Sequence, residues 1–456
     1  MNGTQTHGQL FNAFLAVKSL VVYRNILKDP AVMRFQRILE MSLKEEVPVE
    51  VMAEFHDFLG FLVEQKENDP MSVTGNLWQD RILDLILGDE NCFSLKCEAK
   101  GLEGVDESLK ELAVRDLEYL RKLYDFDFNC LTDLIGKKLH LQKMITFPQK
   151  YYKKAAEDYP HPENYFVEKQ RLKSMLSASA DWGKNLGDIA RFYKSVGCGS
   201  FGRYWGFKWV KTETSGKLEG IPEPDPIRLH ELIGYEEQKK EVLRNTEQFV
   251  KGFKANNMLL YGDRGTGKSS TIKAMLHEFG KDGLRMVEVL KHQLVFLPEI
   301  ISQLSKRPQR FIIFIDELSF EEYETEYKYL KAMLEGSLEA TPDNVVIYAT
   351  SNRRHLVREF HSDRGGDEIK AGDTVQEKLS LSDRFGITVV FMSPDQENYL
   401  KIVEGIARQR GLDIDPGELR KMAVKWELWH NQRSGRTARQ FIEDLLGRMG
   451  AKNSKS

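Results

Sequence analysis

The stretch Tyr261-Gly262-Asp263-Arg264-Gly265-Thr266-Gly267-Lys268-Ser269-Ser270 decides how the rest of the chain is read. Its residues 262–269 fit the pattern G-x-x-x-x-G-K-S at every fixed position. Gly262, Gly265 and Gly267 allow backbone torsions closed to residues with a Cβ, so consecutive N–H groups can turn inward around phosphate oxygens. The Lys268 ammonium then reaches the β- and γ-phosphates, and the Ser269 hydroxyl binds Mg²⁺. At ordinary residue frequencies such a pattern arises by chance in about one chain in a hundred of this length. The setting is the required one: Asn257-Met258-Leu259-Leu260-Tyr261 reads as a strand before the loop, and Ser270-Thr271-Ile272-Lys273-Ala274-Met275-Leu276 has helical spacing after it. A nucleotide is expected here, with Asp263, Arg264, Thr266 and Ser270 beside the fixed positions.

A second run, Phe311-Ile312-Ile313-Phe314-Ile315, ends in Asp316-Glu317. Five apolar residues in a row fit a buried parallel strand, and ligands of open α/β sheets sit at the carboxyl ends of such strands. Asp316 is placed to hold Mg²⁺ through water, and Glu317 to orient and deprotonate an attacking water. A third strand, Asn344 to Thr350, is apolar and β-branched and leads to Ser351-Asn352-Arg353-Arg354. Asn352 would lie beside the γ-phosphate; the plainer alternative is an Asn in a strand-ending turn. The expected fold is an α/β P-loop core, a parallel sheet flanked by helices.

Taken in order, the phosphate loop, the acidic pair, the Asn after the next strand, and then Leu381-Ser382-Asp383-Arg384-Phe385-Gly386 resemble the motif series of the AAA+ ATPases. Upstream, Glu231-Leu232-Ile233-Gly234-Tyr235-Glu236-Glu237-Gln238 resembles the segment that packs around adenine in that superfamily, which makes Ile233 and Gly234 base contacts. Downstream, Ser434-Gly435-Arg436-Thr437-Ala438-Arg439 resembles the start of the helix that bears a sensor arginine in the lid. The resemblance covers residues 226–450. More narrowly, the wording of the motifs together with a helical N-terminal half is similar to a bacterial AAA+ group known only as ATP-binding proteins, and that narrower likeness implies no substrate.

The resemblance implies ATP and Mg²⁺ as ligands, hydrolysis at subunit interfaces, and a ring or open oligomer, with a hexamer favoured. Arg384 would be the finger delivered to the neighbour's γ-phosphate, where a planar fork of donors neutralises developing charge. Its alternative is a surface ion pair with Asp383 or Glu377. Arg439 would be the lid sensor, with Arg436 the rival in the other register. Both sit in a first helical turn, where the dipole disfavours cations and an anionic partner would offset the cost. Two functions stay open: a machine that remodels or loads a protein or nucleic-acid client, and an ATP-dependent binding scaffold with incidental turnover, possibly associated with nucleic acid. An intact Glu317 favours the first.

Composition agrees. With 456 residues and 41% hydrophobic content the chain has room for about three domains with real cores. A formal net charge of −3 gives no global pull toward nucleic acid. Cys92, Cys97, Cys130 and Cys198 lack paired metal-ligand spacing and are too sparse for a disulfide framework, so reduced thiols are expected. No apolar stretch approaches a membrane span, and a soluble, cytoplasmic protein without a membrane partner is the expectation.

The expected organisation is a helical domain at 1–136, an aromatic and basic intermediate segment with linker at 137–225, the large ATPase subdomain at 226–392, a helical lid at 393–450 and a tail at 451–456. Apolar residues recur every three or four positions in the first part, as in Val51 to Leu62 and Leu109 to Leu120. The intermediate segment places basic residues beside rings, as in Phe207-Lys208-Trp209, which suits single-stranded nucleic acid. The same alternation suits a strand with one buried face, the favoured reading. Ile221-Pro222-Glu223-Pro224-Asp225-Pro226 reads as the linker, since three prolines remove donors and prevent a helix. A polar stretch at 360–370 reads as a long surface or interface loop.

Overall fold

A computed structural model describes residues 3–68, 73–140, 147–148, 163–211, 216–320, 326–335, 342–352 and 381–453. The chain forms two compact units, Met1–Arg203 and Tyr204–Ser456.

The first unit is helical. Its helices are α1 (Gly3–Lys18), α2 (Pro30–Ser42), α3 (Glu50–Asn68), α4 (Leu77–Gly88), α5 (Cys92–Lys100), α6 (Glu107–Tyr124), α7 (Phe128–Lys138), α8 (Glu163–Ala178), α9 (Leu186–Val196) and α10 (Gly199–Arg203). Side-chain caps start several of them: Asp29 accepts from the Ala31 and Val32 amides ahead of α2, and Asn76 from Trp78 and Gln79 ahead of α4. The apolar stripes meet in one core, where Phe35 lies 4.6 Å from Trp78 and Phe128 stacks on Phe147 at 4.2 Å. A fully buried carboxylate, Asp116, accepts the Val21, Val22 and Tyr23 amides and ties the chain after α1 to α6. Buried Lys173 is matched by Asp84 at 3.0 Å, and Lys169 by the same carboxylate at 2.7 Å. Burial alone would raise the Asp84 carboxyl, but the two ammonium groups hold it well below the usual carboxylate range.

The second unit is built on a seven-stranded sheet in the order β2-β1-β4-β5-β6-β3-β7. The strands are β1 (Gly206–Lys211), β2 (Gly216–Ile221), β3 (Met258–Gly262), β4 (Leu284–Glu288), β5 (Arg310–Ile315), β6 (Val345–Ser351) and β7 (Ile387–Phe391). Among the described residues only the β1–β2 pair of this sheet is antiparallel, and its other strand pairs are parallel. Strands β3, β5 and β6 are buried almost throughout, as expected of parallel strands covered on both faces. Helices α11 (Glu236–Val250), α12 (Lys268–Phe279), α13 (Leu297–Leu304) and α14 (Tyr327–Glu335) connect them. Three further helices, α15 (Gln396–Gln409), α16 (Pro416–His430) and α17 (Gly435–Asn453), pack around Tyr399, Val403, Ala423, Ala438 and Ile442 as a lid.

The expected intermediate segment at 137–225 is divided between the two units. Its aromatics at Tyr165 and Phe192 enter the first core, and its strands β1 and β2 extend the main sheet. Phe207 and Trp209 are buried, so these two rings serve the sheet and present no stacking platform to a nucleic acid. The pairing of Gly206 with Met286 and Phe207 with Val287 moves the division from the proline linker back to Arg203. At the other end, α17 runs to Asn453, into the expected tail. The polar stretch at 360–370 lies outside the described residues. All four cysteines are free thiols. Among the described residues no helix is long and apolar enough to cross a membrane.

Candidate nucleotide site

Strand β3 ends in Gly262 with φ +139°, where a Cβ would sit 2.0 Å from the Phe391 carbonyl oxygen of β7. Glycine is required there by close approach as well as torsion. The loop then turns through Gly265 (φ +76°) and Gly267 (φ +95°) into α12, whose first residue is Lys268. Thr266 is buried and donates its hydroxyl to the Asp263 carbonyl at 2.8 Å, closing the loop on itself. The amino end of α12 and its unpaired N–H groups face an anion-binding hollow.

Lys268 is only 6% exposed. Its ammonium donates to the Gly262 carbonyl at 2.9 Å, the Asp263 carbonyl at 2.7 Å and Asn352 Oδ1 at 3.2 Å. Burial holds the ammonium below its ordinary pKa, opposed by the carboxylates of Asp263, Asp316 and Glu317. Ser269 Oγ donates to Asp316 Oδ1 at 2.6 Å. Two hard oxygen donors at hydrogen-bond distance fit Mg²⁺, which prefers one or two protein ligands completed by waters and phosphate oxygens. Glu317 lines the same cavity and has φ +51°, in the left-handed region uncommon for a residue with a Cβ.

The cavity holds about 300 Å³ and is lined by both the sheet edge and the lid. One end is apolar, with Ile233, Gly234, Tyr235, Ile402 and Ile406. The other carries the phosphate loop, Glu317, Asn352, Arg436 and Arg439. Arg264, Ser269 and Ser270 also face it, so most of the expected contacts converge. Asp263 does not line it; its carboxylate accepts the Ser393 amide at 2.7 Å and is held below the usual range by that hydrogen bonding. Gly262 and Asp316 are not among the lining residues, though Asp316 Oδ1 is 2.6 Å from Ser269 Oγ, which is. Arg384 is half-buried on the turn after Leu381 and is not among the lining residues. Both candidate sensors, Arg436 and Arg439, line the cavity together.

Several contributors have no motif of their own. Thr350 donates to Asp316 Oδ1 and accepts the Glu317 amide at 3.0 Å. The Tyr235 hydroxyl donates to the Met392 carbonyl at 2.8 Å while burial pushes it up to about 12. The lid holds the loop by one main-chain and one side-chain bond: the Arg436 amide donates to the Gly265 carbonyl at 3.1 Å, and Gln432 Nε2 to the Arg264 carbonyl at 3.0 Å. A serine or threonine hydroxyl in a strand, or an amide before a helix, carries no spacing signal that would single it out.

A glycine loop from strand to helix, an acidic pair two strands away with β6 between, and a helical lid over the cavity define a P-loop fold of the AAA+ type. The chain belongs to the family described as "Protein of unknown function (DUF815)", whose profile matches residues 202–449, more than half of its length. The large subunit of replication factor C from Nanoarchaeum equitans (strain Kin4-M) is 32% identical over 88 residues, 18% of this chain and 20% of that protein, so the chain matches about a fifth of that relative. Among solved structures, the RuvB Holliday junction branch migration motor of Thermotoga maritima is similar at 16% identity over 48% of this chain and 72% of that chain, with a TM-score of 0.32. A variant of the same motor gives 15% identity, 48% and 73% coverage, and a TM-score of 0.32.

Proposed function

We propose that this protein binds ATP with Mg²⁺ in the cavity between phosphate loop and lid, hydrolyses it, and uses the cycle in a self-assembled oligomer to remodel or load a macromolecular client. The observation that carries the reading is the convergence of Lys268, Ser269, Asp316, Glu317 and Asn352 at one sheet edge, with Ser269 and Asp316 2.6 Å apart. The apolar end suits a purine, and the cations Lys268, Arg264, Arg436 and Arg439 suit a triphosphate.

Each residue then has a task. Lys268 exchanges its loop carbonyl partners for phosphate oxygens, a charge-assisted contact. Ser269, and Asp316 through water, would hold Mg²⁺, which when bound would supply charge neutralisation at the phosphates. Glu317 accepts the proton of the water whose oxygen attacks the γ-phosphorus, while the bond to the β–γ bridging oxygen breaks and ADP leaves. Asn352 Oδ1, which accepts from Lys268, is free to accept from that water once the ammonium turns to phosphate, while its Nδ2 donates to a γ-oxygen. Arg436 and Arg439 read the phosphates from the lid, and Arg384 of one copy completes the site of the next.

The test is ATP turnover by the full chain. Glu317→Gln removes the base at constant size, so hydrolysis should fall by roughly two to four orders of magnitude with nucleotide affinity retained. The same variant is the form in which to recover a client. Unchanged turnover in Glu317→Gln would overturn the assignment.

A further inference from the structure

Glu317 occupies a left-handed backbone conformation, which is strained for a residue with a Cβ and persists only where surrounding contacts impose it. The Glu317 amide is shared between Asp316 Oδ1 at 3.1 Å and Thr350, and the other contacts come from Thr350. Its hydroxyl donates to Asp316 Oδ1, because a carboxylate can only accept, and its lone pair takes the Glu317 amide at 3.0 Å. Its carbonyl takes the Leu318 amide at 2.7 Å. Thr350 is 1% exposed on β6, next to the register pair Ile315 and Ala349, so a rigid strand holds the turn on both sides of Glu317. The side chain also fixes the carboxylate that Ser269 contacts, linking base and metal-binding group through one oxygen.

We propose that Thr350 is a positioning residue for hydrolysis: its hydroxyl holds the Glu317 backbone in the turn that delivers the carboxylate to the cavity and orients Asp316. The inference rests on the ATP-hydrolysing reading of this site. A residue that only filled space in the strand would be replaced without kinetic effect by valine, which matches threonine in shape. A residue that acts through its hydroxyl would be replaced by serine and not by valine.

The experiment compares full-length wild type, Thr350→Val, Thr350→Ser and Thr350→Ala. Displacing a reacting group by about 1 Å costs roughly 10² in rate, so kcat in the valine and alanine variants should fall by about that factor. KM should stay within about threefold, since Lys268 and Ser269, which would contact nucleotide and metal directly, are unchanged, and serine should restore most of kcat. A readout independent of turnover is amide hydrogen exchange in a peptide spanning residues 316–318, which should quicken in Thr350→Val and Thr350→Ala but not in Thr350→Ser. Nucleotide binding in EDTA should be equal in all four proteins. Wild-type kcat in the valine variant, or a serine variant as slow as valine, overturns the inference while leaving the hydrolysis reading intact. A wild type that binds ATP without hydrolysing it overturns both.

Discussion

Replacing Gly262 and Gly267 by alanine, one at a time, should separate what the phosphate loop does for the fold from what it does for the ligand. At Gly262 a new Cβ would meet the Phe391 carbonyl oxygen at 2.0 Å and its carbon at 2.6 Å, and these belong to the backbone of β7, which cannot swing aside. Steric overpacking of this kind costs about 1–3 kcal/mol. The φ of +139° adds about 1–3 kcal/mol of torsional strain. At about 2–4 °C per kcal/mol for a unit of this size, a total of about 2–6 kcal/mol lowers the melting temperature of the second unit by about 4–24 °C. At Gly267 a Cβ meets no protein atom within 4 Å, so only the strain of φ +95° remains, about 1–2 kcal/mol. Gly267 lines the cavity, however, and its methyl would stand where phosphate oxygens approach the N–H groups. Thermal melting with and without ATP·Mg²⁺ at a hundred times Kd reads both effects, since wild type gains about 2.7 kcal/mol from the ligand. That is a shift of about 5–11 °C in the same transition. Gly262→Ala should melt early; Gly267→Ala should melt nearly normally and lose the ligand shift. A Gly262→Ala protein as stable as wild type, or a Gly267→Ala protein with the full ATP shift, refutes the reasoning.

Lys268→Ala should abolish the ATP-dependent melting shift while leaving the apo fold intact, and near wild-type nucleotide affinity measured by calorimetry would remove the site assignment. Affinity should also fall as pH rises into the alkaline range: burial keeps the free Lys268 ammonium below its ordinary 10.5, and bound phosphates favour the charged form. Binding therefore takes up a proton between the free and bound pKa values, which calorimetry in buffers of different ionisation enthalpy detects as net proton uptake. Arg384 should act in trans, so mixing inactive Arg384→Ala with inactive Lys268→Ala should restore some hydrolysis by pairing an intact loop with an intact finger. A mixture that stays inactive although the two variants demonstrably co-assemble would make Arg384 a structural residue.

The strands that carry the site were legible because their physical cause is local. Leu259-Leu260, Phe311 to Ile315 and Val345 to Ala349 are apolar on both faces, and a strand buried on both faces is continuous in sequence. The glycines of the loop were legible for the same reason, since the torsions they permit belong to single residues. The hairpin β1–β2 shows the limit. Phe207 and Trp209 alternate as a strand does, but nothing within the segment says that Phe207 will pair with Val287 in the main sheet, 80 positions along the chain. The aromatics at Tyr165 and Phe192 carry the same ambiguity, because a ring destined for a helical core and a ring destined for a nucleic-acid surface have the same composition. Thr350 was hidden because one hydroxyl at a strand end has no periodicity, and its meaning comes only from the Glu317 amide opposite.

What the sequence motifs present as separate items, the fold ties to the phosphate loop by direct bonds. Asp263, a variable position of the loop, reaches the Ser393 amide at the point where the chain leaves β7 for the lid. The Gly265 and Arg264 carbonyls take the Arg436 amide and Gln432 side chain from the turn between α16 and α17. Tyr235, held at φ +59°, bonds the Met392 carbonyl beside the same exit. The loop is therefore bonded to the lid at its entry and at the turn into its last helix, and the two sensor candidates ride on the helix whose second amide makes one of those bonds. A triphosphate that draws Lys268 away from the Gly262 and Asp263 carbonyls frees the groups adjacent to these tethers. Phosphate loop and lid are thus joined by one main-chain bond, Arg436 to Gly265, and by the side chains of Asp263 and Gln432. That arrangement explains why glycine, the residue that sets main-chain torsions, is the one on which the strongest prediction rests.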